Sequence, residues 1–90
     1  MTKAVITVVG KDAVGIISKV SSVCADNTVN ILDITQTVIG EYFAMVMLTD
    51  ITNLSAPFAD FVNTLEGLGK EHGLEIHAMH EDIFNTMHHI

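Results

Sequence analysis

Residues 4–24, AVITVVGKDAVGIISKVSSVC, contain a strand pattern followed directly by a helix pattern. Residues 4–9 are rich in β-branched side chains and stop at Gly10, which is typical of a β-strand. The apolar residues that follow have the spacing of an amphipathic helix: Ile16, Ile17, Val20, Val23 and Cys24. We expect this helix to end near Asn27, because asparagine tolerates the left-handed conformation of a helix end.

The rest of the sequence indicates two further strands, a second helix and a last strand. Residues 30–38 alternate weakly and, after a glycine-containing turn, residues 42–49 complete a β-hairpin. Pro57 is placed at the first turn of a helix whose apolar residues recur until Gly73. A short strand over residues 74–79 follows. The spacing of the last apolar residues predicts a short C-terminal helix: Ile83, Phe84, Met87 and Ile90.

The order β-α-β-β-α-β predicts an α+β fold of the ferredoxin-like class, a four-stranded antiparallel sheet with two helices on one face. We predict one domain over residues 1–79 and a helical tail over residues 80–90. Residues 4–9 and 42–48 are apolar on both sides of their strands, whereas a solvent-exposed sheet face normally alternates with polar residues. The tail or a second copy of the chain should therefore cover the second face, and we predict a homodimer.

The charge of the chain argues against several classes of partner. Its 90 residues carry 11 acidic and 4 basic side chains, a formal charge of -7, and the basic residues are isolated lysines. Nucleic acids and anionic membrane surfaces bind clustered lysine and arginine, so we expect neither as a partner. The sequence shows no export signal and no apolar run long enough for a transmembrane helix, so the expected location is the cytoplasm.

The sequence predicts neither catalysis nor a cofactor. Cys24 lies on the apolar stripe of the first predicted helix, with no histidine near it in the sequence, and is expected to be an inert core residue. The histidines could bind a divalent metal together with neighbouring carboxylates, but their spacing favours a solvated, pH-sensitive tail. They are His72, His77, His80, His88 and His89. We therefore predict a protein that is not an enzyme and has no metal site.

The segment between the first strand and the first helix is a candidate binding site. Gly10 and Gly15 bracket a turn that presents backbone N–H groups and the positive end of a helix dipole, which suit a carboxylate. Asp12 could contact an ammonium group, or it could simply cap the helix in an ordinary tight turn. Asn30 can donate and accept hydrogen bonds, which suits an amino-acid head group, although asparagine is also common in turns.

The order of elements, the Gly-x-Asp-x-x-Gly-Ile sequence at residues 10–16 and the Asn-Ile pair at residues 30–31 together resemble an ACT domain over about residues 4–79. With its His-Glu-Asp-Ile-Phe sequence at residues 80–84, the chain resembles the stand-alone bacterial and archaeal proteins made of one ACT domain. It is also similar to the ACT domains of the glycine-cleavage repressor. The resemblance implies a module that senses a small molecule, such as an amino acid, where the first loop of one subunit faces the second strand of its neighbour. It implicates Gly10, Asp12, Val14, Gly15, Ile16, Asn30 and Ile31.

Two functions remain open at this point. The first is a non-catalytic regulatory module that binds an amino acid or a related metabolite at a homodimer interface. The second is a structural or adaptor protein that binds another protein through its apolar sheet face and its tail helix. Amino-acid binding that depends on Asp12 and Asn30 favours the first function, and a stoichiometric protein partner that is insensitive to them favours the second.

Overall fold

The computed structural model describes residues 1–11 and 14–87, and these residues contain four strands and three helices. The elements are β1 (Lys3–Gly10), α1 (Ile16–Asp26), β2 (Asn30–Ile39), β3 (Tyr42–Asp50), α2 (Phe58–Glu71), β4 (Glu75–His80) and α3 (Glu81–Met87). The strands form one antiparallel sheet in the order β2-β3-β1-β4. This confirms the predicted βαββαβ order and the predicted sheet.

The core lies between the sheet and helices α1 and α2. Each of these two helices buries one narrow stripe with a spacing of four residues, namely Ile16, Val20 and Cys24 in α1 and Phe61, Leu65 and Gly69 in α2. The alternate residues Ala4, Ile6 and Val8 of β1 are fully buried in the same core. The buried Thr49 hydroxyl donates a hydrogen bond of 2.8 Å to the carbonyl oxygen of Ala4, so its burial leaves no unsatisfied polar group.

The second face of the sheet is covered at one end by α3. Val5 alternates with Ala4 and Ile6 and so points away from α1 and α2, yet it is only 3% exposed. Helix α3 directly follows β4 and packs against β1 and β4, which accounts for this burial. Strand β1 begins where β4 ends, since Ala4 pairs with His80. Toward the other end of the sheet, Val9 and Val46 stay exposed on this face.

The end of α1 differs in detail from the prediction. Asn27 has a φ of -107° and is not left-handed, and its side-chain Nδ2 donates a hydrogen bond of 2.8 Å to the carbonyl oxygen of Val23. Thr28, with a φ of 58°, takes the left-handed conformation instead. Helix α1 ends at Asp26, next to Asn27, as predicted. The left-handed conformation expected of Asn27 was wrong, because its side chain binds a helix carbonyl and the left-handed residue is one position later. The left-handed conformation costs a β-branched residue about 1–2 kcal/mol.

Candidate ligand-binding site

The β1–α1 connection holds glycines at both ends for different reasons. Gly15, with a φ of 74°, is left-handed, and a Cβ added to it would meet nothing within 4 Å. Its backbone conformation, rather than a lack of space, therefore favours glycine. A Cβ added to Gly10 would collide with the side chain of Leu74, so the packing of β1 already explains this glycine without a ligand. Asp12, which the sequence analysis placed in the site, lies outside the described residues.

The first turn of α1 presents backbone N–H groups at the end of the β1–α1 connection. Gly15 stands at the N-cap position without a side chain, and among residues 1–11 and 14–87 no side chain makes a capping hydrogen bond there. The first turn has no acidic residue either. Backbone N–H groups and the helix dipole together favour a carboxylate at such a position. The role of Gly15 and Ile16 in ligand binding stays a prediction that this geometry allows.

An open groove of about 410 Å³ lies between the start of α1 and the β2–β3 hairpin. Its lining combines apolar, polar and charged side chains, namely Lys11, Val14, Ile17, Gln36, Val38, Glu41, Tyr42 and Phe43. The sheet brings these segments together, because Gly10 pairs with Phe43 and Phe43 pairs with Val38. Val14 was a site residue predicted from the sequence, whereas the residues of the hairpin were not. The hairpin itself was predicted, yet only the strand register shows that its turn lies beside the loop.

One ion pair spans the mouth of this groove. Lys11 Nζ lies 3.4 Å from Glu41 Oε1 and 5.5 Å from the centroid of the Tyr42 ring. The Lys11 and Glu41 side chains are 61% and 70% exposed, so water screens their attraction and the pair contributes little to stability. Both charged groups are therefore accessible to a ligand.

Asn30 and Ile31 lie at the opposite end of the sheet from the loop. Asn30 pairs with Asp50, and Asp50 pairs with Lys3 at the start of β1, whereas Gly10 ends the same strand. At about 3.3 Å per residue, the length of β1 separates the two positions by about 23 Å. One chain thus does not bring the two sets of predicted residues together. If they form one site, Asn30 and Ile31 must come from another copy of the chain.

A second depression, of about 270 Å³, adjoins Asn30 and includes Asp50 and Asn53. Asp50 Oδ1 accepts hydrogen bonds from Thr52 Oγ1 at 2.6 Å and from the Thr52 N–H at 2.9 Å. These bonds hold the pKa of the Asp50 carboxyl below its usual range. This end of the sheet therefore carries a carboxylate that stays ionised in mildly acidic solution.

Strand β2 forms one edge of the sheet and is ten residues long. All its residues are exposed or half-buried, and Val38 is 72% exposed. The strand is irregular near its start, where a bulge occurs at Leu32 and the Ile34 N–H donates a hydrogen bond of 2.9 Å to Asp33 Oδ1. An exposed edge strand presents N–H and C=O groups that can pair with another strand. The edge is therefore a surface on which a second chain could dock.

The histidines of the described part of the chain are dispersed. His77 Nε2 lies 3.2 Å from Glu75 Oε2 and its Nδ1 lies 3.7 Å from Glu66 Oε2, while the His80 ring stacks on Phe58 with centroids 4.3 Å apart. Glu75 and Glu66 contact different nitrogens of the His77 ring, and within residues 1–11 and 14–87 no three His, Cys, Asp or Glu side chains are arranged to hold a metal ion. His88, His89 and Ile90 lie outside this range. No helix in the described range is long and apolar enough to cross a membrane.

We expect Cys24 to be unreactive in the folded protein. It is 1% exposed, and burial raises the pKa of its thiol from 9.0 to about 11. Since the thiolate is the reactive form, alkylation by iodoacetamide at pH 8 should be at least about 100-fold slower in the native protein than in urea. Mass spectrometry of timed samples measures both rates. Equal rates would contradict the buried position of Cys24.

The same pKa shift predicts a loss of stability in alkali. The folded state keeps the Cys24 proton that the unfolded state releases, so the contribution is intact below about pH 9 and decreases as the pH rises toward 11. The Cys24→Ala variant is the control, because it should lack this part of the pH dependence.

Comparisons with known proteins identify the family. The sequence profile described as ACT domain matches residues 2–79. The chain is 46% identical over 90 residues to a UPF0237 protein from Methanocaldococcus jannaschii, covering 100% of both chains. Its structure is similar to an ACT domain protein from Streptococcus pneumoniae, with a TM-score of 0.79 and 38% identity over 92% of this chain and 93% of that chain.

A putative glycine cleavage system transcriptional repressor is also similar, with a TM-score of 0.68 and 29% identity over 88% of this chain and 45% of that chain. These comparisons confirm the resemblance that the sequence indicated at residues 10–16 and 30–31. The chain belongs to the ACT domain family and resembles the UPF0237 proteins along its whole length.

Proposed function

We propose that this ACT domain is a non-catalytic regulatory module that binds an amino acid or a related metabolite at the interface between two copies of the chain. The position of the groove carries the proposal, because the groove joins the β1–α1 loop to the exposed edge strand β2. The similarity to a putative transcriptional repressor of the glycine cleavage system supports a regulatory role.

Strand β2 offers a way to complete the site. If two β2 strands pair antiparallel about a point near Thr35, the start of the partner's β2, with Asn30, falls near the hairpin turn at Gly40. Gly40 belongs to the hairpin turn that borders the groove. The two sets of residues that one chain keeps about 23 Å apart would then face the same ligand.

The chemistry of this composite site suits an amino acid. The start of α1 favours the carboxylate, and the partner's Asn30 can donate and accept hydrogen bonds to the head group. Since the ligand would contact both copies, it would bind the dimer more tightly than the separated chains. A difference in affinity of this kind shifts the population of the two states, which is the physical basis of regulation.

Two measurements test the proposal. Thermal shift with each of the twenty amino acids should find at least one that stabilises the protein, since a ligand at 100 times its Kd adds about 2.7 kcal/mol. Sedimentation velocity should show a dimer at micromolar concentration. No stabilising amino acid, or a monomer at every concentration with and without ligand, would refute the proposal.

Matched variants locate the interface and the site. Val38→Asp places a charge on the exposed edge region and should give a monomer, whereas Ile83→Asp on the exposed side of α3 should remain dimeric. Asn30→Ala should weaken binding of the stabilising amino acid by at least about tenfold, while Asn85→Ala on α3 should not change it. A dimer that survives Val38→Asp would place the interface elsewhere.

One observation favours the adaptor function as a second candidate. Val9 and Val46 remain exposed on the sheet face that α3 covers only at its other end. A protein partner that docks there would be lost in Val46→Asp and unaffected by Asn30→Ala. Co-purification of one stoichiometric partner with that response would favour the adaptor function.

A further inference from the structure

We propose that the groove selects zwitterionic amino acids with an apolar side chain, and that Lys11 and Glu41 bind the carboxylate and the ammonium group. The inference rests on the proposed function, because it assumes that the effector occupies the groove beside the loop. It adds the chemical class of the ligand and two residues that the sequence analysis did not consider.

The charges of the groove match those of a neutral amino acid. Of the described residues that line it, Lys11 is the cation and Glu41 is the anion, and their charged atoms are 3.4 Å apart. An α-carboxylate and an α-ammonium group are neighbours in every amino acid, so a ligand can replace this single ion pair by two. The exposed ion pair is weak, and its opening costs little.

The geometry also orients the ligand. Lys11 lies on the loop side of the groove, next to the first turn of α1, so two sources of positive potential converge on the carboxylate. Glu41 lies in the hairpin turn on the opposite side and would receive the ammonium group. The Tyr42 ring, which Lys11 Nζ approaches at 5.5 Å, forms the wall beside these charges.

The remaining wall of the groove selects the side chain. Val14, Val38 and Tyr42 are large apolar residues that stay exposed in the single chain, and Ile17 and Phe43 extend the same surface. An apolar side chain would cover them, with a gain of about 25 cal/mol for each Å² removed from water. The volume of about 410 Å³ lies within the range of roughly 300–1,000 Å³ for small-molecule pockets.

The net charge of the protein excludes other ligand classes. With a formal charge of -7 and one lysine at the groove, the chain would repel a dicarboxylate or a phosphorylated metabolite. A basic amino acid would place its charged side chain against the apolar wall that includes Val14 and Val38. A neutral zwitterion carries no excess negative or positive charge, so neither of these arguments disfavours it.

Isothermal titration with leucine, isoleucine, valine, methionine and phenylalanine tests the inference. Two derivatives of the amino acid that binds most tightly serve as probes. Its amide lacks the carboxylate charge, and its deaminated acid lacks the ammonium charge. Glu41→Gln and Lys11→Gln should each weaken binding of the amino acid by at least about tenfold. Glu41→Gln should not weaken binding of the deaminated acid, and Lys11→Gln should not weaken binding of the amide, because each variant frees the remaining charged group from the ion pair.

Lys19→Gln and Glu71→Gln are the matched controls, because both residues are exposed and neither lines the groove. An amino acid whose binding responds to Asn30→Ala but not to either groove variant would overturn the charge assignment and leave the proposed function intact. Tighter binding of serine, aspartate or lysine than of the five apolar amino acids would overturn the selectivity. If no amino acid binds at all, both the inference and the proposed function fail.

Discussion

Replacing Phe61 by alanine is expected to lower the free energy of unfolding by about 3–5 kcal/mol. Phe61 is the largest fully buried side chain of the described residues and is the first residue of the stripe that α2 turns toward the sheet. Truncation removes its apolar contacts and leaves a cavity that the surrounding strands cannot fill. Since small domains are stable by only about 5–15 kcal/mol, urea unfolding followed by circular dichroism should show a variant close to the limit of folding.

Phe58 provides the control for this measurement. It is the same residue type in the same helix but is only half-buried, with its ring stacked on His80 and 6.4 Å from the ring of Phe61. Phe58→Ala should cost about 1–2 kcal/mol, because less surface returns to water and the gap lies at the edge of the core. Equal losses in the two variants would contradict the full burial of Phe61.

Two glycines of α2 should respond to alanine with opposite signs. A Cβ on Gly69 would lie 2.6 Å from the carbonyl oxygen of Leu74 and 3.0 Å from Ile76 Cγ1, so helix α2 must move away from β4. Overpacking of this kind costs about 1–3 kcal/mol. Because backbone rather than a flexible side chain blocks the new methyl group, we expect Gly69→Ala to destabilise the protein despite the higher helix propensity of alanine.

Gly67 lies two residues earlier in the same helix, and a Cβ there would meet nothing within 4 Å. Gly67→Ala should therefore raise the free energy of unfolding by about 0.5–1 kcal/mol, the gain expected from helix propensity alone. Thermal and urea unfolding of both variants measure the difference. If both substitutions stabilise the protein, the close approach of α2 to β4 at Gly69 is not rigid.

Local patterns in the sequence were enough to predict the elements of this fold. The stripe of Ile16, Val20 and Cys24 repeats at helical spacing, and β1 is dense in β-branched residues. Both patterns involve residues that are close along the chain, so they can be recognised without knowledge of the fold. Thr28 shows where this reasoning fails. Propensity favoured Asn27 for the left-handed residue, but a hydrogen bond from the Asn27 side chain to Val23 moved the reversal to a residue that is intrinsically poor at it.

The candidate site was only half predictable for a similar reason. The glycines around the loop mark it locally, whereas Glu41, Tyr42 and Val38 reach the groove through strand pairing with residues far along the chain. The register also shows that Asn30 lies at the far end of the sheet. A pattern of residues carries no information on such distances, so before the structure a second copy at this site was implied only by the resemblance to ACT domains, and the register adds the physical reason.

The pairing of Ala4 with His80 has a practical meaning for anyone who works with this protein. Since β1 starts at the end of the sheet that also carries Asn30, two strands away, a purification tag or a fluorescent fusion attached before β1 would emerge beside the segment that the proposed dimer brings to its partner's groove. A binding assay should therefore use protein from which a tag before β1 has been cleaved.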